Sequence, residues 1–286
     1  MTTSKSSEPS LADRYRRAKS KSKFPEFELF THELRFPLDD FQEQACLALE
    51  AGAGVLVAAP TGAGKTIVGE FAIHLALAKG QKVFYTTPIK ALSNQKFAEL
   101  AARYGKNRVG LLTGDSNSNS EAEIVVMTTE VLRNMIYATS TTLMDLGYVV
   151  MDEVHYLADR FRGAVWEEVI LHLPKDVKVV SLSATVSNAE EFGAWLAEVR
   201  GNTEVIVSEI RPVPLHQHVM FGEELLELFE TGSNKTRVNP ELLQKHQARQ
   251  RAPHRGPKNS SRSNYRGQPD RRFPRLEKSD VVELLD

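Results

Sequence analysis

The stretch Ala59-Pro60-Thr61-Gly62-Ala63-Gly64-Lys65-Thr66 limits what this chain can become more than any other. An apolar, β-branched run, Gly54 to Ala58, precedes it, and a stretch of helical length and spacing, Ile67 to Leu75, follows. Strand, small-residue loop and helix with Gly-Lys-Thr at the junction are the context of a phosphate-binding loop. Small residues let backbone N–H groups turn onto phosphate oxygens, and the helix N-terminus adds partial positive charge. The spacing predicts that Thr61, Gly62, Ala63 and Gly64 cradle a nucleotide's phosphates, with Lys65 neutralising β/γ oxygens and the Thr66 hydroxyl on Mg²⁺. Ala59 stands where the strict pattern has glycine, a mild departure because Gly62 and Gly64 still serve the bend.

After this unit apolar strands and amphipathic helices alternate. Strands are predicted at Val83–Thr86, Val109–Leu112, Ile124–Met127, Tyr148–Met151 and Val177–Leu182, and helices at Leu92–Tyr104, Val131–Tyr137, Trp166–Leu173 and Ala189–Val199. A helix over Asp39–Ala51, capped by Asp39 or Asp40, precedes the loop. Near-continuous apolar strands alternating with helices predict an α/β domain, a mainly parallel sheet covered by helices on both faces. The alternating Phe24 to Phe30 reads as an ordered arm or strand, and Leu225–Phe229 as the close of a helix. Residues 231–275 read as linker or disordered loop. The domain reading is a basic disordered leader over 1–23, one α/β domain over 24–221 and a basic linker over 222–286, with the apolar end Val281 to Leu285 looking cut.

A P-loop needs a carboxylate on a neighbouring strand to hold the metal. Asp152 ends the buried strand Tyr148–Met151, where open parallel sheets place ligand groups. Glu153 follows it, placed to polarise the water that attacks the γ-phosphate.

Asp152-Glu153-Val154-His155 resembles the DExH box of superfamily 2 helicases, and other stretches fall in that family's order. Ala59–Thr66 is similar to motif I, Thr87–Leu92 to motif Ia, and Thr113-Gly114-Asp115 to the glycine-containing motif after it. Thr128–Arg133 is similar to motif Ib, and Ser183-Ala184-Thr185 to motif III. The wording Pro88–Lys96, with Thr128–Arg133 and Asp152–Tyr156, resembles the Ski-like RNA helicases, including the actinobacterial HelY-type branch, over about residues 25–221. The resemblance implies a RecA-like P-loop domain, the first motor domain of an ATP-dependent RNA helicase using ATP and Mg²⁺. It implies that Phe36 stacks on adenine and Gln42 hydrogen-bonds its edge. Thr87, Pro88, Lys90, Gly114, Thr128 and Arg133 would hold the backbone of one strand, contacts that carry no sequence information. His155, Ser183 and Thr185 would couple the nucleotide to strand grip and to a second RecA-like domain, whose arginine motif is missing after Thr231. A DNA helicase or translocase stays open, because backbone contacts need not distinguish the sugar. So does a nucleotide- and nucleic-acid-binding fragment without turnover of its own.

Composition removes other classes. The 41% hydrophobic and 26% charged residues are ordinary for a globular chain. Cys46 is the sole cysteine, so no intrachain disulfide can form, and no apolar run approaches the roughly 20 residues that span a bilayer. Residues 1–23 lack the apolar core of a secretory signal. A cytoplasmic setting follows as the expectation. The net charge of −1 conceals asymmetry: residues 231–280 hold thirteen Lys/Arg against four Asp/Glu. That segment either visits a polyanion or is a solvated linker. Tyr265 and Phe273 are its only aromatic residues, so base stacking adds little and any binding is electrostatic. If roughly half of its basic residues meet phosphates, log K for a single strand falls against log[salt] with slope about −4 to −5. Deleting 231–280 should flatten the slope by that amount in an anisotropy salt series; an unchanged slope leaves the segment a linker.

Overall fold

Strands made of unbroken apolar runs have no face to show water, so they must pair as inner strands of a covered sheet. In the computed structural model, which describes residues 23–159, 162–185, 188–214, 216–221, 224–230 and 237–251, they do so. Strands β1 (Gly54–Ala58), β2 (Lys82–Thr87), β3 (Val109–Thr113), β4 (Ser116–Ser118), β5 (Ile124–Thr128), β6 (Leu146–Met151), β7 (Lys178–Ser183) and β8 (Thr203–Val207) form one sheet in the order β4-β3-β5-β2-β6-β7-β1-β8. Every pairing is parallel except β3 with β4. The sequence reading did not include β4, too short and polar, or β8, whose outer residues are partly exposed.

Helices cover both faces. Helices α1 (Pro25–Glu33), α2 (Asp40–Glu50), α3 (Thr66–Ala78) and α4 (Lys90–Tyr104) bury Phe30, Leu49, Phe71 and Leu100 with Tyr85, Tyr148 and Val150 of the sheet. On the other face α5 (Thr129–Tyr137), α6 (Gly163–His172) and α7 (Ala189–Arg200) bury Leu132, Trp166 and Leu196 with Phe84, Val149 and Met151. This is the mainly parallel, doubly covered α/β sheet expected from the sequence. The helix predicted over 39–51 is capped by Asp39, whose N–H is accepted by Gln42 Oε1 at 2.9 Å.

Three local expectations fail. Phe24 to Phe30 is not a strand: Pro25–Glu33 is helical. Period-two alternation would bury Phe24, Glu26, Glu28 and Phe30 together, whereas Phe27 and Phe30, three apart, share the buried face against Phe71, with ring centroids 6.1 and 5.1 Å away. The Glu50 carboxylate accepts the N–H groups of Glu26 and Phe27 at 2.9 and 2.8 Å, a cap supplied from another helix. Glu224–Glu227 is strand, not helix, pairing antiparallel with His218–Phe221. Within the stretch read as linker, Pro240–Arg251 is helical, started by Asn239 Oδ1 accepting the Glu241 N–H at 3.0 Å. That helix has little apolar content, so no periodicity marked it. The chain falls into two compact units, through Pro212 and from Val213, the strand pair and this last helix belonging to the second. The basic leader over 1–22, Leu215, and residues 231–236 and 252–286 of the basic segment lie outside the described residues.

Arg200, the last residue of α7, ties α6 to β7. Its guanidinium donates to the carbonyls of Leu173 (2.6 Å), Pro174 (2.6 Å) and Val177 (2.9 Å), with Ile170 at 3.4 Å. Those of Ile170 and Leu173 lie at the end of α6, where carbonyls lose their helical partners, and that of Pro174 also accepts the Val177 N–H at 3.2 Å. Arg200→Ala removes a charged donor to several carbonyls at once and should cost about 2–3 kcal/mol. A lower denaturation midpoint at unchanged m-value is the expected result; a shift under about 0.5 kcal/mol would assign those carbonyls to solvent.

Candidate nucleotide and strand-binding edge

In a parallel sheet every strand ends on the same edge, and the crevice outside those ends is where ligands sit. The motif-bearing segments follow β1 (Ala59), β2 (Pro88), β3 (Gly114), β5 (Thr129), β6 (Asp152) and β7 (Ala184), so chain direction alone gathers them.

Between β1 and α3 the loop turns through Gly62 and Gly64, at φ +84° and +81°, left-handed conformations that favour glycine. The Lys65 ammonium lies in the hollow of the turn, donating to the carbonyls of Ala59 at 2.7 Å and Pro60 at 3.0 Å. Burial holds the Lys65 pKa below the ordinary lysine value, while the charges of Glu153 and Asp152 oppose that shift. The two carboxylates therefore lie within electrostatic reach of the loop lysine. Helix α3 carries no acidic residue in its first turn, which leaves its positive end uncompensated beside Thr66. Gln42 packs onto the same loop: its amide nitrogen donates to the carbonyls of Ala63 (3.3 Å) and Gly64 (3.1 Å). Phe36, before α2, is 55% exposed, an unusual state for a phenylalanine.

Asp152 follows β6. Its N–H bonds the Thr86 carbonyl at 3.0 Å, its Oδ1 accepts the Glu153 N–H at 2.9 Å, and its Oδ2 accepts the Tyr85 hydroxyl at 2.8 Å. Glu153 has φ +54°, ψ +42°, a left-handed conformation that costs a non-glycine residue on the order of 1 kcal/mol or more and recurs at functional sites. His155 Nδ1 is 3.2 Å from Glu153 Oε2, inside ion-pair distance, yet neither buried atom has hydrogen-bond geometry. The proximity is the firmer observation; the pair is close but not locked. Ser183, ending β7, accepts the Thr185 N–H at 3.3 Å through Oγ and the Ala59 N–H at 3.1 Å through its carbonyl. Motif III thus touches the P-loop through one backbone bond.

The residues assigned to strand binding divide into two groups. Lys90, paired with Asp115, and Arg133, 3.7 Å from Glu168, stand where solvent reaches them. Gly114 has open space where a side chain would go. Thr87 is buried, its hydroxyl 2.7 Å from Ser93 Oγ and 3.1 Å from the Ile89 carbonyl. Thr128 is the buried N-cap position of α5, and the Pro88 carbonyl accepts from Arg162 at 3.1 Å. Thr87 therefore has no side-chain group left for an external ligand, and the Pro88 carbonyl is already taken. Sequence reasoning missed Tyr85, Ser93, Arg162 and Asp115. Tyr85 did leave a signal, a hydroxyl inside an otherwise apolar run that must find a partner when buried.

Fold and edge together define a RecA-like P-loop domain. The DEAD/DEAH box helicase family profile matches residues 39–192, just over half of the 286, and the chain belongs to that family. It is 68% identical over 216 residues to "Probable helicase HelY" of Mycobacterium leprae, a match covering 75% of this chain and 24% of that protein. It is 48% identical over 209 residues to the "DExH-box ATP-dependent RNA helicase DExH15 chloroplastic" of Arabidopsis thaliana, covering 71% of this chain and 18% of that protein. The chain therefore spans about a quarter or less of the length of these relatives. Among solved structures, Mycobacterium smegmatis helicase Lhr bound to ssDNA and AMP-PNP superposes with a TM-score of 0.53 at 28% identity, over 66% of this chain and 28% of that one.

Helicases of this family use ATP with Mg²⁺, and the residues fit both. The two left-handed glycines and the buried ammonium suit phosphate. Among the described residues no cluster of three His, Cys, Asp or Glu could hold a metal by itself. Thr66 and Asp152 carry oxygens of the hard kind that would hold Mg²⁺, which takes few ligands from protein when phosphates and waters supply the rest. Gly64→Ala tests the loop: the added Cβ would stand 2.6 Å from Gln42 Nε2 in a strained φ region. Nucleoside triphosphate affinity should fall at least about ten-fold by fluorescent-nucleotide titration; unaltered affinity would show that the turn is not part of the site.

Proposed function

We propose that this chain is the first motor domain of an ATP-dependent RNA helicase, binding and hydrolysing MgATP and gripping one strand by its backbone. The single observation that supports it best is the turn through the left-handed Gly62 and Gly64 that holds the Lys65 ammonium in its hollow, on the sheet edge where Asp152 and Glu153 follow β6. In this reading Lys65 exchanges the Ala59 and Pro60 carbonyls for β/γ-phosphate oxygens. Thr66 and Asp152 hold Mg²⁺, which neutralises charge on the transferring phosphoryl group. Glu153 orients and deprotonates the attacking water. Thr61, Gly62, Ala63 and Gly64 wrap the phosphates. Phe36 stacks on adenine and Gln42 reads its edge, after releasing the P-loop carbonyls it now holds.

Lys90 and Arg133 meet strand phosphates with their side chains, Thr128 with its hydroxyl, and Thr87 and Gly114 through backbone N–H groups; Pro88, which has no N–H, shapes the turn that presents them. His155, Ser183 and Thr185 pass the nucleotide state to a second RecA-like domain. Support for RNA is the name of the Arabidopsis relative; the ssDNA of the Lhr complex supports the DNA alternative. No helix among the described residues is long and apolar enough to cross a membrane, and we place the activity in the cytoplasm.

Lys65→Ala should abolish measurable ATP binding, while Glu153→Gln should bind ATP and lose hydrolysis. Equal loss of binding in both would refute the division of roles. Oligonucleotides differing only in sugar decide between RNA and DNA. An arginine finger accelerates phosphoryl transfer by roughly 10³–10⁵. The 286 residues by themselves should bind ATP, and adding a second RecA-like domain that supplies such an arginine should raise turnover by about that factor; an unchanged rate would refute the pairing.

A further inference from the structure

Tyr85 is fully buried in β2, in register with Val150 of the neighbouring β6. Side chains along a strand alternate, so Val150 and Asp152 lie on the same face, one pleat apart. From beside Val150 the Tyr85 ring reaches along the sheet to Asp152 at the strand end. Its hydroxyl donates to Oδ2 at 2.8 Å. Burial first, and then the Asp152 charge, push its pKa well above the ordinary tyrosine value, so the phenol keeps its proton and acts as a donor.

The ring's slot is built from both sides. Gly69 of α3, one turn beyond Lys65, faces it: a Cβ there would stand 3.3 Å from Tyr85 Cε2 and 3.1 Å from Val150 Cγ1. Lys96 of α4 lies over the ring with Nζ 5.5 Å from its centroid. The P-loop helix thus presses on the ring that holds the carboxylate of the next motif. An ionised carboxylate has about four lone-pair sites. Tyr85 takes one on Oδ2 and the Glu153 N–H one on Oδ1. The carboxylate plane is set, and its free lone pairs are left for other ligands.

We propose that Tyr85 is a positioning residue for the metal-binding carboxylate. Its hydroxyl fixes the rotation of Asp152, so that Oδ1 keeps Glu153 in its left-handed turn while the free lone pairs face the nucleotide's cation. The proposal rests on the role given above to Asp152. It differs from a core tyrosine that has merely found an acceptor in one respect: loss of the hydroxyl must be felt through the cation.

Tyr85→Phe keeps the ring and removes only the donor. The measurement is fluorescent-ATP affinity of the purified chain in Mg²⁺ and in EDTA, with melting temperature alongside. In Mg²⁺ the variant should bind about five- to ten-fold more weakly, the scale of one typical net hydrogen bond. In EDTA its affinity should match the wild type within about two-fold, and it should stay folded. On an Asp152→Asn background, Tyr85→Phe should add no further loss in Mg²⁺, since coupled residues are not additive. Equal weakening in Mg²⁺ and EDTA, full additivity with Asp152→Asn, or an unfolded Tyr85→Phe would each make the hydroxyl structural and overturn the proposal. A wild-type chain that binds nucleotide no better with Mg²⁺ would instead refute the role of Asp152, and this inference would fall with it.

Discussion

The structure depends on the parallel pairing of strands that have no solvent face. Such strands satisfy their backbone against one another, and the helical crossovers that join them let neighbours pair in the same direction. Once β1, β2, β3, β5, β6 and β7 are aligned in that manner, their ends must share an edge. Six segments spread from Ala59 to Thr185 become neighbours without any direct attraction between them. The antiparallel β4 closes one side of the sheet with a short, polar strand, a poor template for further pairing.

At that edge, several polar groups bond to the protein itself. Lys65 bonds its own loop, Gln42 bonds the carbonyls of Ala63 and Gly64, and Lys90 pairs with Asp115. In the proposed function each of these bonds would be exchanged for one to a ligand, which would make net affinity a difference between two sets of similar hydrogen bonds. The exchange also carries information. Gln42 links the segment before α2 to the P-loop, and the Ser183 carbonyl links motif III to Ala59. A change of partner at the loop is therefore felt at both.

Behind the edge lies a layer of buried polar contacts that sets its geometry. Thr87, Ser93 and Ile89 tie the end of β2 to the start of α4, and the Thr129 hydroxyl reaches the Thr87 carbonyl at 3.5 Å. Arg162 holds Pro88 from the segment after the DExH box. Tyr85 holds Asp152, and Asp152 holds Glu153. Groups of this kind cost little when fully paired and are expensive to disrupt one at a time. They tie the strand ends to the segments that follow them, and leave Lys90 and Arg133 at the surface, where the proposed strand would meet them.

The amino-acid sequence by itself determined most of the sheet, its helical cover and where the P-loop and the Asp152-Glu153 pair fall on its edge. Those depend on local signals: unbroken apolar runs, glycines at a turn, a carboxylate at a strand end. Where the deciding partner lay far along the chain, the reading failed or fell silent. Phe24 to Phe30 alternates like a strand, and only packing on Phe71 and capping by Glu50 make it a helix. The helix over 240–251 has no apolar stripe to announce it. Thr87 reads as a surface contact in motif order, yet its hydroxyl is spent on Ser93. Tyr85 is one more apolar-strand residue until β6 brings Asp152 beside it, 67 positions away in the chain. Tertiary structure decided which polar atoms remain free for ligands, because hydrogen-bond satisfaction depends on neighbours that sequence spacing does not encode.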